Sequence, residues 1–328
     1  MKNPKYRTRS YFLYLKVLFF CIIVSANAGC ANHRKNILPE DISNEPDYLV
    51  TSRSSVYDRV QNDSDNFQMT AQEHEQLGDA SLKKGRLYIA FKQYEKAIEK
   101  DPENIRLEYK KGLTLLLAKK YDEAIKQFKT VLNQDTEHAF AYLGIGTAYF
   151  KKKDYINGEI HLNTSTELNP SLWKAHNLLG NIYDRQKKYD MAISEYQKAI
   201  AINPYEGALD NNLGVSYTLY GDHENAVQAF ESALRKRYCN EKVYNNLGIA
   251  LSNLQKYEEA FNVFKKSLGE AHAYNNLGCI YMKLGKREEA IRCFEKAIEV
   301  NPRFYQKASD NLKKLNAGRF ENGIYPAS

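Results

Sequence analysis

The amino-acid sequence predicts an all-α protein in which seven helix hairpins stack into an α-solenoid and a C-terminal capping helix follows them. The first observation is a glycine that recurs at intervals of 34 residues five times and then after 30 residues. The recurring glycines are Gly78, Gly112, Gly146, Gly180, Gly214, Gly248 and Gly278. Repetition at a fixed period of this size indicates an array of stacked units, because a single hairpin cannot bury both of its faces.

The second observation is that each glycine is followed by a small residue after twelve positions and by a large one four positions later. The small residues are Ala90, Ala124, Gly158, Ala192, Ala226, Ala260 and Ala290, and the large ones are Tyr94, Phe128, Leu162, Tyr196, Phe230, Phe264 and Phe294. The small side chains let two helices approach closely, while the large ones fill the space between them. We therefore expect one helix around each glycine and a second around each small and large pair.

These residues resemble the tetratricopeptide repeat, a helix–turn–helix unit of 34 residues. Numbering each unit from 1 places the glycine at position 8 and, in four units, a proline at position 32, where the missing N–H ends the second helix. The resemblance implies a right-handed solenoid. The predicted repeats are 71–104, 105–138, 139–172, 173–206, 207–240, 241–270 and 271–304, followed by a capping helix at 305–317 and a tail at 318–328.

Two units depart from the pattern. The third unit has Gly158 at the small position and Thr164 and Thr166 in its second helix. Glycine and β-branched residues disfavour a helix, so we expect the 155–168 helix to be the softest in the array. The sixth unit is four residues short after Ser267, and we expect the last repeat to dock at a shifted angle.

Residues 1–29 are predicted to be a signal peptide, because cationic residues precede an apolar stretch, residues 11–24, that is too short for a membrane span. Ala28, Gly29 and Cys30 resemble the end of a bacterial lipobox, with lipidation at Cys30, although Asn27 stands where Leu is usual. Cleavage before Gly29 would instead leave a soluble periplasmic protein, and an uncleaved anchor is the third alternative. Ala31 follows Cys30, which favours the periplasmic face of the outer membrane.

The polar segment 30–69 has little apolar periodicity and is predicted to be a flexible tether.

The distribution of charge argues against a nucleic-acid partner. The net charge is +7, but residues 1–29 supply five of these charges and the remainder carries 42 basic against 40 acidic side chains. Beyond residue 30 the chain contains Cys239, Cys279 and Cys293, an odd number without a C-x-x-C pair, so a disulfide framework is not expected.

The sequence contains no recognised catalytic or phosphate-binding motif, and its seven histidines lack metal-ligand spacing. We therefore predict a protein that is not an enzyme and that uses no cofactor and no metal. Binding of a protein or peptide partner is the function that remains.

The predicted binding surface is the side of each first helix that faces away from the apolar stripe at positions 4, 7, 8 and 11. Asparagines recur there at positions 5 and 6, and an amide can pair with both the C=O and the N–H of a peptide bond. Because Asn is also common at position 6 of ordinary repeats, a structural role remains open. The predicted groove residues are Asn177, Asn181, Asn211, Asn212, Asn245, Asn246, Asn275, Asn276, Lys174, Arg185 and Lys242.

Two further points concern ligand class. Chaperone-binding repeats hold a terminal carboxylate with bases at positions where this chain has Asn177 and Asn246, which argues against that clamp. In the early units an apolar groove is predicted from Tyr109, Leu113, Leu116, Leu117 and Phe150, and it suits an amphipathic helix or packing against an N-terminal segment of the chain.

The segment 273–312 is similar to lipoproteins of tight-adherence (Flp-type) pilus assembly. That resemblance implies a membrane-tethered scaffold that aids assembly of a pilus or secretion machine, with a secretin or pilus component as partner. A periplasmic adaptor that recruits peptidoglycan hydrolases or proteases is the alternative. A regulatory subunit of an envelope polysaccharide or lipid enzyme is a third hypothesis.

Overall fold

The computed structural model describes residues 69–301 and 305–316, which form fifteen α-helices and no strand. The described residues belong to two compact units, an N-terminal unit (69–202) and a C-terminal unit (203–301 and 305–316). The predicted signal peptide, almost all of the tether, and the tail lie outside the described residues.

The N-terminal unit consists of four helix hairpins. Its helices are α1 Ala71–Lys83, α2 Leu87–Lys100, α3 Ile105–Leu117, α4 Tyr121–Gln134, α5 Ala139–Lys151, α6 Tyr155–Leu168, α7 Trp173–Arg185 and α8 Tyr189–Ile202. The two helices of each hairpin pack against each other through the large residue at position 24, and Tyr94, Phe128 and Leu162 are fully buried.

The C-terminal unit consists of three hairpins and the last helix. Its helices are α9 Gly207–Tyr220, α10 His223–Arg235, α11 Glu241–Asn253, α12 Tyr257–Leu268, α13 Glu270–Lys283, α14 Arg287–Val300 and α15 Tyr305–Asn316. Ala308 and Leu315 of α15 are buried in one cluster with Phe294, so α15 covers the apolar face of the last hairpin.

The recurring glycine is required because an aromatic ring lies against it. A Cβ built on Gly214 would lie 2.7 Å from Cε1 of Phe230, and one on Gly248 would lie 2.3 Å from Cε1 of Phe264. Carbon atoms pack at about 3.5–4.0 Å, so no larger residue fits without moving the ring. The sequence pattern of glycine at position 8 and a large residue at position 24 is therefore one contact, repeated along the chain.

The turn between the two helices of a hairpin places position 15 in the left-handed region. Gly85, Gly221 and Gly285 occupy it in three units, whereas Lys119, Lys153, Lys187 and Gln255 occupy it with φ between 60° and 64° in the others.

Replacing Lys153 with glycine is expected to stabilise the protein by about 0.5–1 kcal/mol, because a side chain is strained at positive φ. Urea denaturation measures the change.

Gly221→Ala is the matched reverse substitution. A Cβ on Gly221 would meet no atom within 4 Å, so φ alone opposes the change and a loss of similar size is expected. Equal stability of the wild type and both variants would contradict this account.

The two irregular units have ordinary helices. α6 has 14 residues, as α2, α4 and α8 do, and Asp154 accepts a hydrogen bond from the N–H of Asn157 at its start. Its predicted softness stays a prediction, which hydrogen exchange over 155–168 measures. In the short sixth unit α12 has 12 residues and Gly269, at φ 90°, alone links it to α13. The shifted docking angle of the last repeat likewise stays a prediction.

Candidate functional site

The doubled asparagines of the C-terminal unit form a continuous row across the first helices of its hairpins. The side-chain amide of Asn246 in α11 donates to Oδ1 of Asn211 in α9, with a distance of 3.5 Å. The amide of Asn276 in α13 donates in the same way to Oδ1 of Asn245, at 3.1 Å. Each bond joins position 6 of one repeat to position 5 of the preceding repeat.

The row continues into α15, where Asn311 donates to Oδ1 of Asn275 at 3.1 Å and to Sγ of Cys279 at 3.5 Å. We call Asn211, Asn245, Asn246, Asn275, Asn276 and Asn311 the amide ladder. Sequence reasoning assigned α15 only a covering role and missed Asn311. The signal was present, since Asp310-Asn311-Leu312 repeats part of the Asp-Asn-Asn-Leu stretch at 210–213.

The hydrogen bonds within the ladder occupy only some of the donors and acceptors of its asparagine side chains. Each asparagine carries two N–H donors and an oxygen with two lone pairs. The bond from Asn276 to Asn245 therefore leaves the second N–H and the oxygen of Asn276 able to bond a ligand. Asn245, Asn246 and Asn276 are partly exposed, whereas Asn275 is only 8% exposed. Asn211 also donates to Oδ1 of Asn212, at 3.4 Å.

The predicted groove residues of the N-terminal unit lie on α7. The amide of Asn181 donates to the backbone oxygen of Asn177 at 2.7 Å, one helical turn earlier. The ammonium of Lys174 lies 5.7 Å from the centre of the Trp173 ring, and Arg185 is exposed at the helix end. These residues thus form a separate polar surface within their own unit. Lys242, the remaining predicted residue, is exposed on α11 of the C-terminal unit.

The N-terminal unit contains a buried charge cluster that the sequence analysis did not predict. The ammonium of Lys110, only 1% exposed, lies 2.8 Å from Oε1 of Glu75 and 2.8 Å from both carboxylate oxygens of Asp79. Tyr94 donates to Asp79 at 2.7 Å, and Arg106 donates to Oε2 of Glu75 at 2.7 Å. Burial raises the pKa of the Asp79 carboxyl group, and the Lys110 charge opposes that shift.

The charge cluster and the amide ladder use the same repeat positions. Lys110 lies at position 6 of the second unit and Glu75 at position 5 of the first, the pair of positions that Asn276 and Asn245 occupy. Positions 5 and 6 therefore join consecutive repeats in both units, by charge in one and by amides in the other. This joining role is the structural alternative that the sequence analysis left open.

The predicted apolar groove of the early units is in part core. Tyr109 is 2% exposed, and its ring lies 5.7 Å from Phe128 and 5.2 Å from His138, measured between ring centres. The assignment of Tyr109 to a groove was wrong, because its ring is buried in the core against Phe128 of α4 and His138, which precedes α5. Leu113 and Phe150 are half-buried.

Comparison with protein families identifies the repeat. Models of the tetratricopeptide repeat match residues 75–139, 173–206, 242–269 and 271–304. The chain contains tetratricopeptide repeats. Such repeats generally form non-enzymatic modules that bind protein or peptide partners. No curated protein matches the chain.

Solved structures of other tetratricopeptide repeat proteins have the same fold. One from Parabacteroides merdae superposes with a TM-score of 0.52 at 18% identity, covering 75% of this chain and 98% of that one. The APC/C hetero-tetramer Cut9–Hcn1 gives a TM-score of 0.52 at 20% identity, covering 79% of this chain and 51% of that one. These two likenesses confirm the predicted fold class, an all-α solenoid.

The protein MamA is also similar, with 29% identity over 51% of this chain and 92% of that one, but its TM-score is 0.45.

Within the repeats, 69–301, and in α15, no helix is long and apolar enough to span a membrane. The same residues contain no group of three or more His, Cys, Asp or Glu side chains that could hold a metal ion.

Proposed function

We propose that this tetratricopeptide repeat protein is a non-enzymatic scaffold whose C-terminal unit binds an extended peptide segment along the amide ladder. The observation that supports the proposal is the row of partly exposed amides on α9, α11 and α13, whose hydrogen-bonding capacity is only partly used. An amide pairs with a peptide bond whatever the side chain beside it, so the ladder would recognise backbone.

The bonds within the ladder favour binding as well as stability. An asparagine side chain that already bonds its neighbour has lost most of its rotational freedom before a ligand arrives. Ordering an interface side chain on binding costs about 0.5–1.5 kcal/mol, and pre-organisation removes part of that cost. The joining role of the ladder and its proposed binding role are therefore compatible.

The test uses a peptide selected from a random phage-displayed library on the wild-type protein. Changing Asn246 and Asn276 of the ladder together with Asn212, which accepts a hydrogen bond from Asn211 of the ladder, to alanine is expected to weaken peptide binding about 10- to 100-fold, because each net hydrogen bond is worth about 0.5–1.5 kcal/mol. Fluorescence anisotropy measures the affinity, and circular dichroism checks that the helix content is unchanged.

Two controls separate recognition from folding. Gln228→Ala with Asn262→Ala removes two exposed amides from the second helices α10 and α12 and should leave affinity unchanged. N-methylation of the peptide backbone should weaken binding to the wild type but cause no further loss in the triple variant. Equal affinity of the triple variant and the wild type would contradict the proposal.

We further propose that the scaffold is held at the periplasmic face of the outer membrane by lipidation of Cys30. The sequence of residues 1–30 supports this, and mass spectrometry of the mature N-terminus tests it; an unlipidated start at Gly29 would refute it.

The resemblance to tight-adherence lipoproteins makes a secretin or pilus assembly component the first partner to test by affinity capture. Recovery of peptidoglycan hydrolases or proteases would instead support the adaptor alternative.

A further inference from the structure

Helix α6 exposes large aliphatic side chains on its outer face. Ile156 is 73% exposed, and Ile160, one helical turn later, is 54% exposed. The residues that α6 buries are instead Gly158, Leu162 and Ser165, so two of these three buried positions hold a small or polar residue. A helix whose outer side faced only solvent would have the opposite distribution, with the large aliphatic residues inside.

The outer face of α6 also lacks the charges that the other repeats carry at the same place. Ile156, Ile160 and Thr164 occupy positions 18, 22 and 26 of their unit, and the hydroxyl of Thr164 donates to the backbone oxygen of Ile160 at 3.2 Å. Each of the six other units has at least one charged residue at these positions. Their residues are Tyr88, Lys92 and Lys96; Asp122, Lys126 and Thr130; Asp190, Ser194 and Lys198; Glu224, Gln228 and Ser232; Glu258, Asn262 and Lys266; and Glu288, Arg292 and Lys296.

The two ends of this outer face differ in charge. The turn before α6 contains three lysines, residues 151–153, and one acid, Asp154. Lys152 forms a salt bridge with Asp122 of α4, and Asp154 accepts hydrogen bonds from the backbone N–H and the side-chain amide of Asn157 at 3.2 and 2.7 Å. At the other end, Glu167 is exposed seven residues after Ile160, about 10 Å along the helix axis. The face is therefore basic at its start, apolar in its middle and acidic at its end.

We propose that a second copy of this chain covers the face, with the two α6 helices packed antiparallel about a two-fold axis beside Ile160. Such an interface pairs each residue with the one at the same distance on the other side of the axis. Ile160 then contacts its own counterpart, Ile156 contacts Thr164 of the second copy, and Lys153 faces Glu167 of the second copy. The arrangement buries the exposed apolar side chains and brings opposite charges together at both ends.

Charge complementarity selects both the occupant and its direction. In the antiparallel pair, the basic start of each α6 meets the acidic end of the other, and the two helix dipoles oppose each other favourably. A parallel pair would place Lys153 beside its own counterpart, and like charges that meet at an interface disfavour it. The face is thus complementary to itself in one orientation.

The interface is small, because one helix from each copy supplies its centre. A stable protein interface buries about 1,200–2,000 Å² in total, so a single pair of helices gives a weak and reversible dimer. Two copies would carry two amide ladders, and a partner with repeated segments could engage both and bind more tightly than to one. Dimer formation itself does not depend on peptide binding.

Sedimentation equilibrium of the full mature chain tests the association. The average mass is expected to rise from that of one chain towards that of two as the protein concentration approaches about 100 µM. Ile160→Glu should lower the association constant at least about tenfold, because it places two carboxylates at the axis. Tyr88→Glu makes the same kind of change at a residue that is 74% exposed on α2 and should have no effect. Circular dichroism checks the fold of both variants.

Charge reversal tests the antiparallel register and also distinguishes a second copy from any other cover. Lys153→Glu and Glu167→Lys are each expected to weaken the dimer about fivefold, and the two changes together should restore it. Within one chain these residues lie at opposite ends of α6, so the restoration can arise only between chains. A double variant that associates as weakly as either single variant would overturn the inference.

A disulfide cross-link locates the axis. In a chain with Cys30 and Cys239 changed to serine, Ile160→Cys should form a covalent dimer on mild oxidation, whereas Tyr88→Cys in the same background should not. Equal cross-linking at both positions would indicate random collision and overturn the inference. A chain that stays monomeric at about 100 µM, while a photoreactive residue at position 160 captures a different protein, would show that a partner covers the face, which also overturns it.

Discussion

Replacing Lys110 with methionine is expected to lower the free energy of unfolding by about 3–5 kcal/mol. The ammonium group is almost completely buried and lies within 2.8 Å of two carboxylates, Glu75 and Asp79. Methionine fills a similar volume but leaves both carboxylates without that partner. Asp79 would keep its hydrogen bond from Tyr94, and Glu75 its bond from Arg106, which limits the loss.

The size of the loss reflects unpaired buried charge, and a second variant separates this cause from lost packing. Changing Glu75 and Asp79 to leucine and Tyr94 to phenylalanine together with Lys110→Met removes all three buried charges and the buried hydroxyl that would otherwise lose its acceptor. This variant is expected to be close to the wild type in stability, because replacing a buried ionic group by apolar residues is often neutral or stabilising. Lys126→Met, at an exposed position of α4, should change little. Urea denaturation measures the stability of all three variants, and a quadruple variant as unstable as Lys110→Met would contradict this cause.

The fold could be predicted from the sequence because its determinants are local and periodic. The Gly214 and Phe230 contact, for example, recurs in every unit with the same sixteen-residue separation, so seven repetitions report one geometry. What the sequence could not indicate is a contact that occurs once. Lys110 stands at a position where a solvated lysine is the ordinary expectation, and only the three-dimensional placement of Glu75 and Asp79 explains its burial.

The sequence predicted the type of residue at the candidate site but not the hydrogen bonds that connect these residues. The helical period predicted exposed asparagines at positions 5 and 6 of the first helices; Asn245, Asn246 and Asn276 are partly exposed, whereas Asn275 is buried. It could not show that position 6 donates to position 5 of the preceding repeat, because that bond depends on the spacing between hairpins. Asn311 was missed for the same reason, since its partner Asn275 lies 36 residues away along the chain.

Phe230→Ala is expected to destabilise the protein by about 3–5 kcal/mol, the usual cost of truncating a fully buried aromatic residue. Phe230 is 0% exposed and shares its cluster with Ala226, Val243 and Leu247. The lost burial and the cavity left between α9, α10 and α11 both contribute. Tyr220→Ala, an aromatic residue in the same unit that is 54% exposed, provides the control and should cost much less.

The contact between Phe230 and Gly214 makes a further, stricter prediction about the same cavity. In the wild type, Gly214→Ala is expected to destabilise by about 1–3 kcal/mol, because the new Cβ would lie 2.7 Å from the ring. In the Phe230→Ala background the ring is gone, so the same methyl group enters empty space and gains the helix propensity of alanine, about 1 kcal/mol. The sign of the Gly214→Ala effect should therefore reverse. A double-mutant cycle by urea denaturation measures this coupling, and additive effects would show that the glycine is retained for a reason other than its contact with the ring.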